Sequence, residues 1–351
     1  MTSEDDDMVD LAEQLTHPDA VEAGQVTLLP SLMGRSILRD TDLSHEEIEA
    51  VLDLAIALKD LRARHVPHAW LAAKTLGMIF QHPSTRTRTA FQAGMEQLGG
   101  QAIFLGVQDL QLRRGETIED TAGIFSRYVD AIAVRVADRE DLFGLARGAT
   151  VPVFNGLTSH DHPIEALSDL MTLKERFGAL PGLRFAYLGD GNNVCHSLML
   201  ACAATGVHFA YAGPNAWWPD PEVVETAKGL AIDAGGSVTV TDDVETAVAG
   251  VDAVYTDVHE SMGEQEIPGK LMALAPYRVT ATVMATAGEP AVFMHCLPLH
   301  RGQEVDAEVA DGPQSIIFDQ AENRLHVHKA VLLQVLHDER RGSDRDPASV
   351  R

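Results

Sequence analysis

The chain has 351 residues and a formal net charge of −25 at pH 7. That length favours two domains over one small core, and that charge excludes nucleic acid and an acidic membrane surface as natural partners. No apolar run reaches membrane-spanning length, and the opening Met-Thr-Ser-Glu-Asp-Asp-Asp is the opposite of a secretory leader. Cys195, Cys202 and Cys296 are too few and too scattered for a disulfide framework, so a reducing cytoplasm is expected. Lysine is confined to Lys59, Lys74, Lys174, Lys228, Lys270 and Lys329, and arginine carries most of the positive charge. An acidic, lysine-poor, alanine-rich surface is the composition expected of a protein adapted to high salt, where screening suppresses self-repulsion.

Residues 1–35 carry acidic clusters and little periodicity, apart from a short helical pattern near Met8–Leu15, and are expected to be mobile. Ser44 with Glu47 three residues on makes a capping box, and Ile48, Val51, Leu52 and Ala55 form the apolar stripe of the helix that follows. Thr75–Phe80 reads as a buried strand. It leads into His82-Pro-Ser84-Thr85-Arg86-Thr87-Arg88-Thr89, after which Phe91, Met95 and Leu98 keep helical spacing up to Gly99-Gly100. Hydroxyls and guanidiniums are thus concentrated at the first turn of a helix, where unpaired N–H groups and the helix dipole favour an anion.

A strand at Gln101–Leu105, a polar loop through Gln111 to Thr117, a helix at Ile118–Tyr128 and a strand at Ala131–Val136 follow. Next come a helix at Arg139–Arg147, a strand at Val151–Phe154, and a helix from Ile164 to Phe177 closed by Gly178 and Pro181-Gly182, the expected domain boundary. A second β/α series runs through strands at Arg184–Leu188, Val207–Ala212, Ser237–Thr241, Ala253–Thr256 and Ala291–Met294, and an apolar helix from Glu322 to about Leu336 closes the chain before a charged tail. The pattern predicts an α/β protein of two domains, each a parallel sheet with helices on both faces, bridged by interdomain helices.

Open sheets of this kind bind ligands beyond the carboxyl ends of their strands. Arg86, Arg135, the loop to His162, Asn193, Asp257 and His295-Cys296 all fall at such ends. Gly189-Asp-Gly191-Asn-Asn-Val194 invites a dinucleotide reading, but the third glycine position is Val194 and the next strand ends at Ala212-Gly213 without an acidic residue. The spacing of His, Cys, Asp and Glu shows no metal-binding cluster.

Ser84–Arg88, Asp190-Gly-Asn-Asn193, Asp257 with Ser261-Met262-Gly263, His295-Cys-Leu-Pro298 and Glu322-Asn-Arg324 together resemble the aspartate and ornithine carbamoyltransferases. The resemblance covers residues 37–338, and Ser-Met-Gly and His-Cys-Leu-Pro resemble the ornithine branch. It implies a carbamoyl phosphate domain at 36–160, an interdomain helix at 161–180, an ornithine domain at 181–321, and a C-terminal helix at 322–351 that packs back on the first domain and ends in a frayed tail. It also implies that Ser84, Thr85, Arg86 and Thr87 hold the phosphate. Arg135, His162 and Arg324 then hold the carbonyl and remaining oxygens, and Glu165 stands where the family places a glutamine that accepts from the carbamoyl nitrogen. Asn193 and the backbone at Met262 grip the ornithine carboxylate, Asp257 and Ser261 its α-ammonium, and Cys296 with Leu297 lies near the reacting amine. Arg86, Arg135, His162, Asp257 and Cys296 are the expected catalytic residues, with no metal and no organic cofactor. Gln111 is expected to reach a neighbour's site in a homotrimer or an assembly of trimers. His259 stands where the family commonly has tryptophan, which leaves another amine acceptor, or binding without turnover, as alternatives.

Overall fold

The computed structural model describes residues 27–111, 115–260 and 267–337. The expected Met8–Leu15 helix, the charged tail from Arg340, and Arg113, Arg114, Ser261 and Met262 lie outside the described residues. Residues 27–35, expected to be part of a mobile extension, are packed. Leu32 is fully buried, and Gly34 N–H donates to the Val335 carbonyl at 2.9 Å.

The first domain opens with α1 (His45–Ala63), whose capping box forms as the sequence indicates. It then runs β1 (Thr75–Phe80), α2 (Thr85–Gln97), β2 (Gln101–Gly106), α3 (Ile118–Phe125), β3 (Ala131–Arg135), α4 (Arg139–Gly148) and β4 (Val153–Leu157). Its four strands are all parallel, in the order β2-β1-β3-β4. Helix α5 (Pro163–Phe177) crosses to the second domain, which holds β5 (Arg184–Leu188), α6 (Asn193–Ala204), β6 (His208–Ala212), α7 (Pro221–Ala234), β7 (Ser237–Thr241), α8 (Val244–Val248) and β8 (Ala253–Thr256). Short helices α9 (Lys270–Leu274) and α10 (Ala281–Ala287) precede β9 (Val292–Met294), and α11 (Ala307–Ala310) follows it. The second sheet is also parallel, in the order β7-β6-β5-β8-β9. Among the described residues no helix is long and apolar enough to cross a membrane.

Side chains alternate between the two covered faces of each sheet, as strand pleating requires. Phe185, Tyr187, Phe209, Tyr211 and Tyr255 join the large core shared with the bridging helices, whereas Ala186, Leu188, Ala212 and Val254 face α8 and α10. In the first sheet Leu76, Met78 and Phe80 join that shared core, and Ile79, Ile132 and Val134 face α3 and α4.

The chain returns to the first domain along α12 (Ile317–Leu336), which begins five residues before the expected Glu322. It packs on α1, α2 and α5. Its seam with α5 is polar although buried: Gln320 donates to Asp169 at 2.6 Å, Asn323 to Thr172 at 3.0 Å, and Arg324 pairs with Glu165 at 2.9 Å. Other differences from the sequence reading have local causes. Strand β4 starts at Val153 because Pro152 has no N–H to give the ladder. Helices α9, α10 and α11 span at most seven residues, too few for a periodic signature.

Lys329 on α12 is fully buried, with Nζ 2.6 Å from His68 Nε2 and 3.2 Å from Gln97 Oε1. Burial, and after it the nearby Arg62 charge, bring its pKa from 10.5 to about 7. Between those two values the unfolded chain holds a proton here that the folded chain does not, so this residue makes stability rise with pH from about 7 to 10.5. Lys329→Met removes that dependence. In urea titrations at pH 7, 8.5 and 10, the stability of the native protein relative to this variant should rise with pH, by at most about 1.4 kcal/mol per pH unit. A constant difference would show that Lys329 does not titrate in this range.

Candidate active site

Each sheet has one point where the strand order reverses, between β1 and β3 in the first and between β5 and β8 in the second. The loops diverging there leave a crevice at the carboxyl ends of the strands. The two crevices face each other across one cleft of about 730 Å³, floored by the start of α5 and by Arg324 of α12.

The first-domain wall is the anion-binding turn. Ser84 caps α2, accepting from Thr87 N–H at 3.3 Å, and Thr85 and Arg86 also line the cleft. Thr87 is fully buried, and its hydroxyl accepts from Arg324 Nη2 at 2.7 Å. Arg135 stands at the end of β3. Burial, then the facing Arg324, lowers its pKa to about 10, which leaves it a cation at neutral pH. Burial and Arg324 shift Arg86 in the same direction. Arg88 points elsewhere, with its guanidinium 3.7 Å from the centre of the Phe104 ring outside the cleft.

His162 and Glu165 begin α5. Glu165 Oε2 lies 3.1 Å from His162 Nε2 and 2.9 Å from Arg324 Nη2. Burial opposes charge on Glu165, but Arg324 and the hydrogen bond from His162 outweigh it and hold the carboxyl below its usual range. Burial also lowers the His162 pKa, so its ring is neutral at pH 7. A neutral imidazole has one N–H, and an ionised carboxylate at Nε2 assigns that N–H to Nε2. His162, expected to donate to the carbonyl oxygen, therefore has its ring donor committed to Glu165, and Nδ1 is a buried acceptor without a partner.

The second-domain wall is built around Asp257, just past β8. Its Oδ2 accepts from Asn192 Nδ2 at 2.8 Å, and its Oδ1 accepts from Val258 N–H at 2.8 Å and the Cys296 thiol at 3.1 Å. Burial, then Asp257, pushes the Cys296 pKa well up, so the group is a thiol donor rather than a thiolate. Asn192 caps α6 and accepts from the Tyr187 hydroxyl at 3.1 Å, so Asp257 is held through Asn192 by a helix terminus and a core tyrosine. Asn193 donates to the Thr158 carbonyl at 2.7 Å, and Arg86 Nη2 donates to the Leu297 carbonyl at 2.6 Å. Both bonds cross the cleft. Leu297 has φ +61°, an uncommon region for a branched side chain, and this conformation turns its carbonyl toward Arg86.

Some residues at this wall escaped sequence reasoning. Lys270 is buried, pairs with Asp190 at 2.8 Å and lies 4.7 Å from the centre of the Trp217 ring. Its only signal was the rarity of lysine. Asn192 was legible as a helix cap before the apolar run from Val194, not as a partner of Asp257. His259 is buried beside Gly189, and burial lowers its pKa to about 4. Asp257, His295 and Cys296 bring ligand atoms within 4.8 Å of one another, a grouping their sequence spacing hides. The thiol is already bonded to Asp257, however, and His295 Nδ1 accepts from Leu297 N–H at 2.9 Å. Gln111 is exposed and does not line the cleft of its own chain.

Residues 35–175 match the family model for the carbamoyl-P binding domain of aspartate/ornithine carbamoyltransferases, and residues 181–335 match the model for their Asp/Orn binding domain. The ornithine carbamoyltransferase of Symbiobacterium thermophilum is 48% identical over 309 residues, 88% of this chain and 100% of that protein. That of Bacillus subtilis is 49% identical over 308 residues, 88% of this chain and 95% of that protein. The solved structure of ornithine carbamoyltransferase from Pyrococcus furiosus superposes with a TM-score of 0.85 at 47% identity, covering 89% of this chain and 99% of that one.

Proposed function

The chain belongs to the aspartate/ornithine carbamoyltransferase family, and from that premise we propose that it transfers the carbamoyl group of carbamoyl phosphate to the side-chain amine of L-ornithine, giving L-citrulline and phosphate. The observation that carries this reading is the pairing of two unlike half-sites across one cleft. Arg86, Arg135 and Arg324 gather around the capped start of α2, opposite the Asp257–Asn192–Cys296 network.

In this reading Ser84, Thr85, Arg86 and Thr87 bind the phosphate with N–H groups, hydroxyls and charge. Asn193 and the Met262 backbone take the ornithine carboxylate, and Asp257 with Ser261 takes its α-ammonium. Cys296 and the Leu297 carbonyl stand beside the reacting amine. The amine must be neutral to attack. Its nitrogen bonds to the carbamoyl carbon, negative charge collects on the carbonyl oxygen, and the bond from that carbon to the phosphate oxygen then breaks as the nitrogen gives a proton to the departing phosphate. Arg86 and Arg135 stabilise the oxyanion. His162 is left to shape the wall, because its N–H is held by Glu165. The buried free thiols suit a reducing cytoplasm.

The test is a colorimetric ureido assay with carbamoyl phosphate and a panel of amines, including other amino acids and diamines because His259 and Lys270 flank the acceptor wall. Citrulline should form from ornithine, and Arg86→Ala should lower the rate by about a thousandfold or more. No product from any amine would defeat the catalytic reading, and a fully active Arg86→Ala protein would defeat the site assignment.

The exposed position of Gln111 supports an active site shared within a homotrimer, with this side chain entering the neighbour's pocket. Arg86→Ala and Gln111→Ala subunits, unfolded together and refolded, should regain activity above the sum of the separate preparations, because one interface in a hybrid carries both native residues. Hybrids that form without regaining activity would refute the sharing.

The −25 net charge supports a salt-adapted protein. Its melting temperature should climb from dilute buffer to molar potassium chloride as repulsion is screened. A steady fall would contradict the reading.

A further inference from the structure

The phosphate end of the cleft holds three guanidiniums and one buried carboxylate, and that carboxylate is Glu165. We propose that Glu165 is a positioning residue: it fixes Arg324 and His162 and offsets one of the three positive charges, which limits how tightly the site keeps phosphate. The inference rests on the reading of this cleft as a phosphate site.

The geometry carries the first half of the argument. One oxygen, Oε2, meets both Arg324 Nη2 at 2.9 Å and His162 Nε2 at 3.1 Å. The other, Oε1, is buried with no hydrogen-bond partner. Arg324 Nη2 in turn donates to Thr87 Oγ1 at 2.7 Å, inside the first turn of α2. A single carboxylate therefore ties together the start of α5, the middle of α12 and the anion-binding turn.

Charge carries the second half. Arg86 and Arg135 are shifted down by burial and by the facing Arg324, the signature of cations crowded in a partly dry space. Asp169 and His328 also pack near Glu165 on the two helices. Burial, then Glu165 itself, raises the pKa of Asp169, one turn along α5, well above the usual carboxylate range, and its two oxygens accept from Gln320 and Tyr255. His328, on the facing turn of α12, is neutral, its pKa taken to about 3 by burial and Arg324. Without Glu165 the phosphate would face three guanidiniums, with the charge of Asp257 acting on Arg86 from the opposite wall, and the product would leave more slowly.

The test compares the wild type with Glu165→Gln, which keeps the shape and removes the charge, and Glu165→Asp, which keeps the charge and shortens the arm. Inorganic phosphate binding is measured by calorimetry on the full chain at fixed low ionic strength, beside citrulline kinetics. A neighbouring unit charge commonly moves such equilibria by one or more powers of ten. Glu165→Gln should therefore bind phosphate about tenfold tighter, with product inhibition strengthened in proportion and the KM for ornithine unchanged. Glu165→Asp should bind phosphate within about threefold of wild type and turn over more slowly, because Arg324 is displaced. Unchanged or weaker phosphate binding by Glu165→Gln overturns the proposal, as does a tenfold change in Glu165→Asp. A wild type that binds phosphate and makes citrulline while Glu165→Gln behaves identically overturns the proposal alone. A wild type that binds no phosphate overturns the parent reading with it.

Discussion

The architecture depends on the buried contact between α5 and α12. These helices carry the chain from one domain to the other and back, and they meet through Glu165, Asp169 and Thr172 against Arg324, Gln320 and Asn323. An apolar seam of the same area could slide by a turn at little cost. A buried polar seam cannot, because each displaced donor or acceptor would be left unsatisfied at about 1–3 kcal/mol. The register of the two helices sets the distance between the sheets, and hence the distance between the half-sites at their reversal points. Arg324 belongs to the seam and to the cleft at once, so the interaction that aligns the domains also aligns part of the chemistry.

The same logic explains why the second wall is rigid. Asp257 sits on a loop, yet its oxygens are fixed by Asn192, Val258 N–H and the Cys296 thiol, and Asn192 is fixed by a helix end and by Tyr187. Tyr187 and Tyr255 lie nearly parallel in the sheet core with ring centres 5.6 Å apart. Tyr187 supports the Asp257 wall, and Tyr255 reaches Asp169 in the interhelical seam at 3.1 Å. Core packing, domain register and site geometry are therefore one connected network of side chains.

Much of this was legible in the sequence because it rests on local rules. The strands at Arg184–Leu188 and Ser237–Thr241, the Ser44 capping box and the hydroxyl-rich start of α2 follow from periodicity and capping alone. What stayed hidden depends on direction or on distant partners. Arg86 and Arg88 lie two apart on one helix, so they project to different sides and only Arg86 reaches the cleft. His162 is recognisable as a site residue, but the destination of its N–H is decided by Glu165 across a turn of helix. Lys270 is brought to Asp190 by a chain path that no short motif describes. Gln111 is exposed and lies outside the cleft lining, a placement that its polar loop in the sequence does not settle.

The double crossing between the domains also has a mechanical consequence. A single linker would act as a swivel, leaving one lobe free to twist about it. Two struts lying side by side and pinned along their length suppress torsion far more than they suppress bending. The lobes are left with essentially one soft coordinate, on which the bonds from Arg86 to Leu297 and from Asn193 to Thr158 act as clasps at the open edge. Like a pair of tweezers, such a body can meet its load only along a fixed line of approach. Alignment of the two reactants is then inherited from the frame and does not have to be found anew at each encounter.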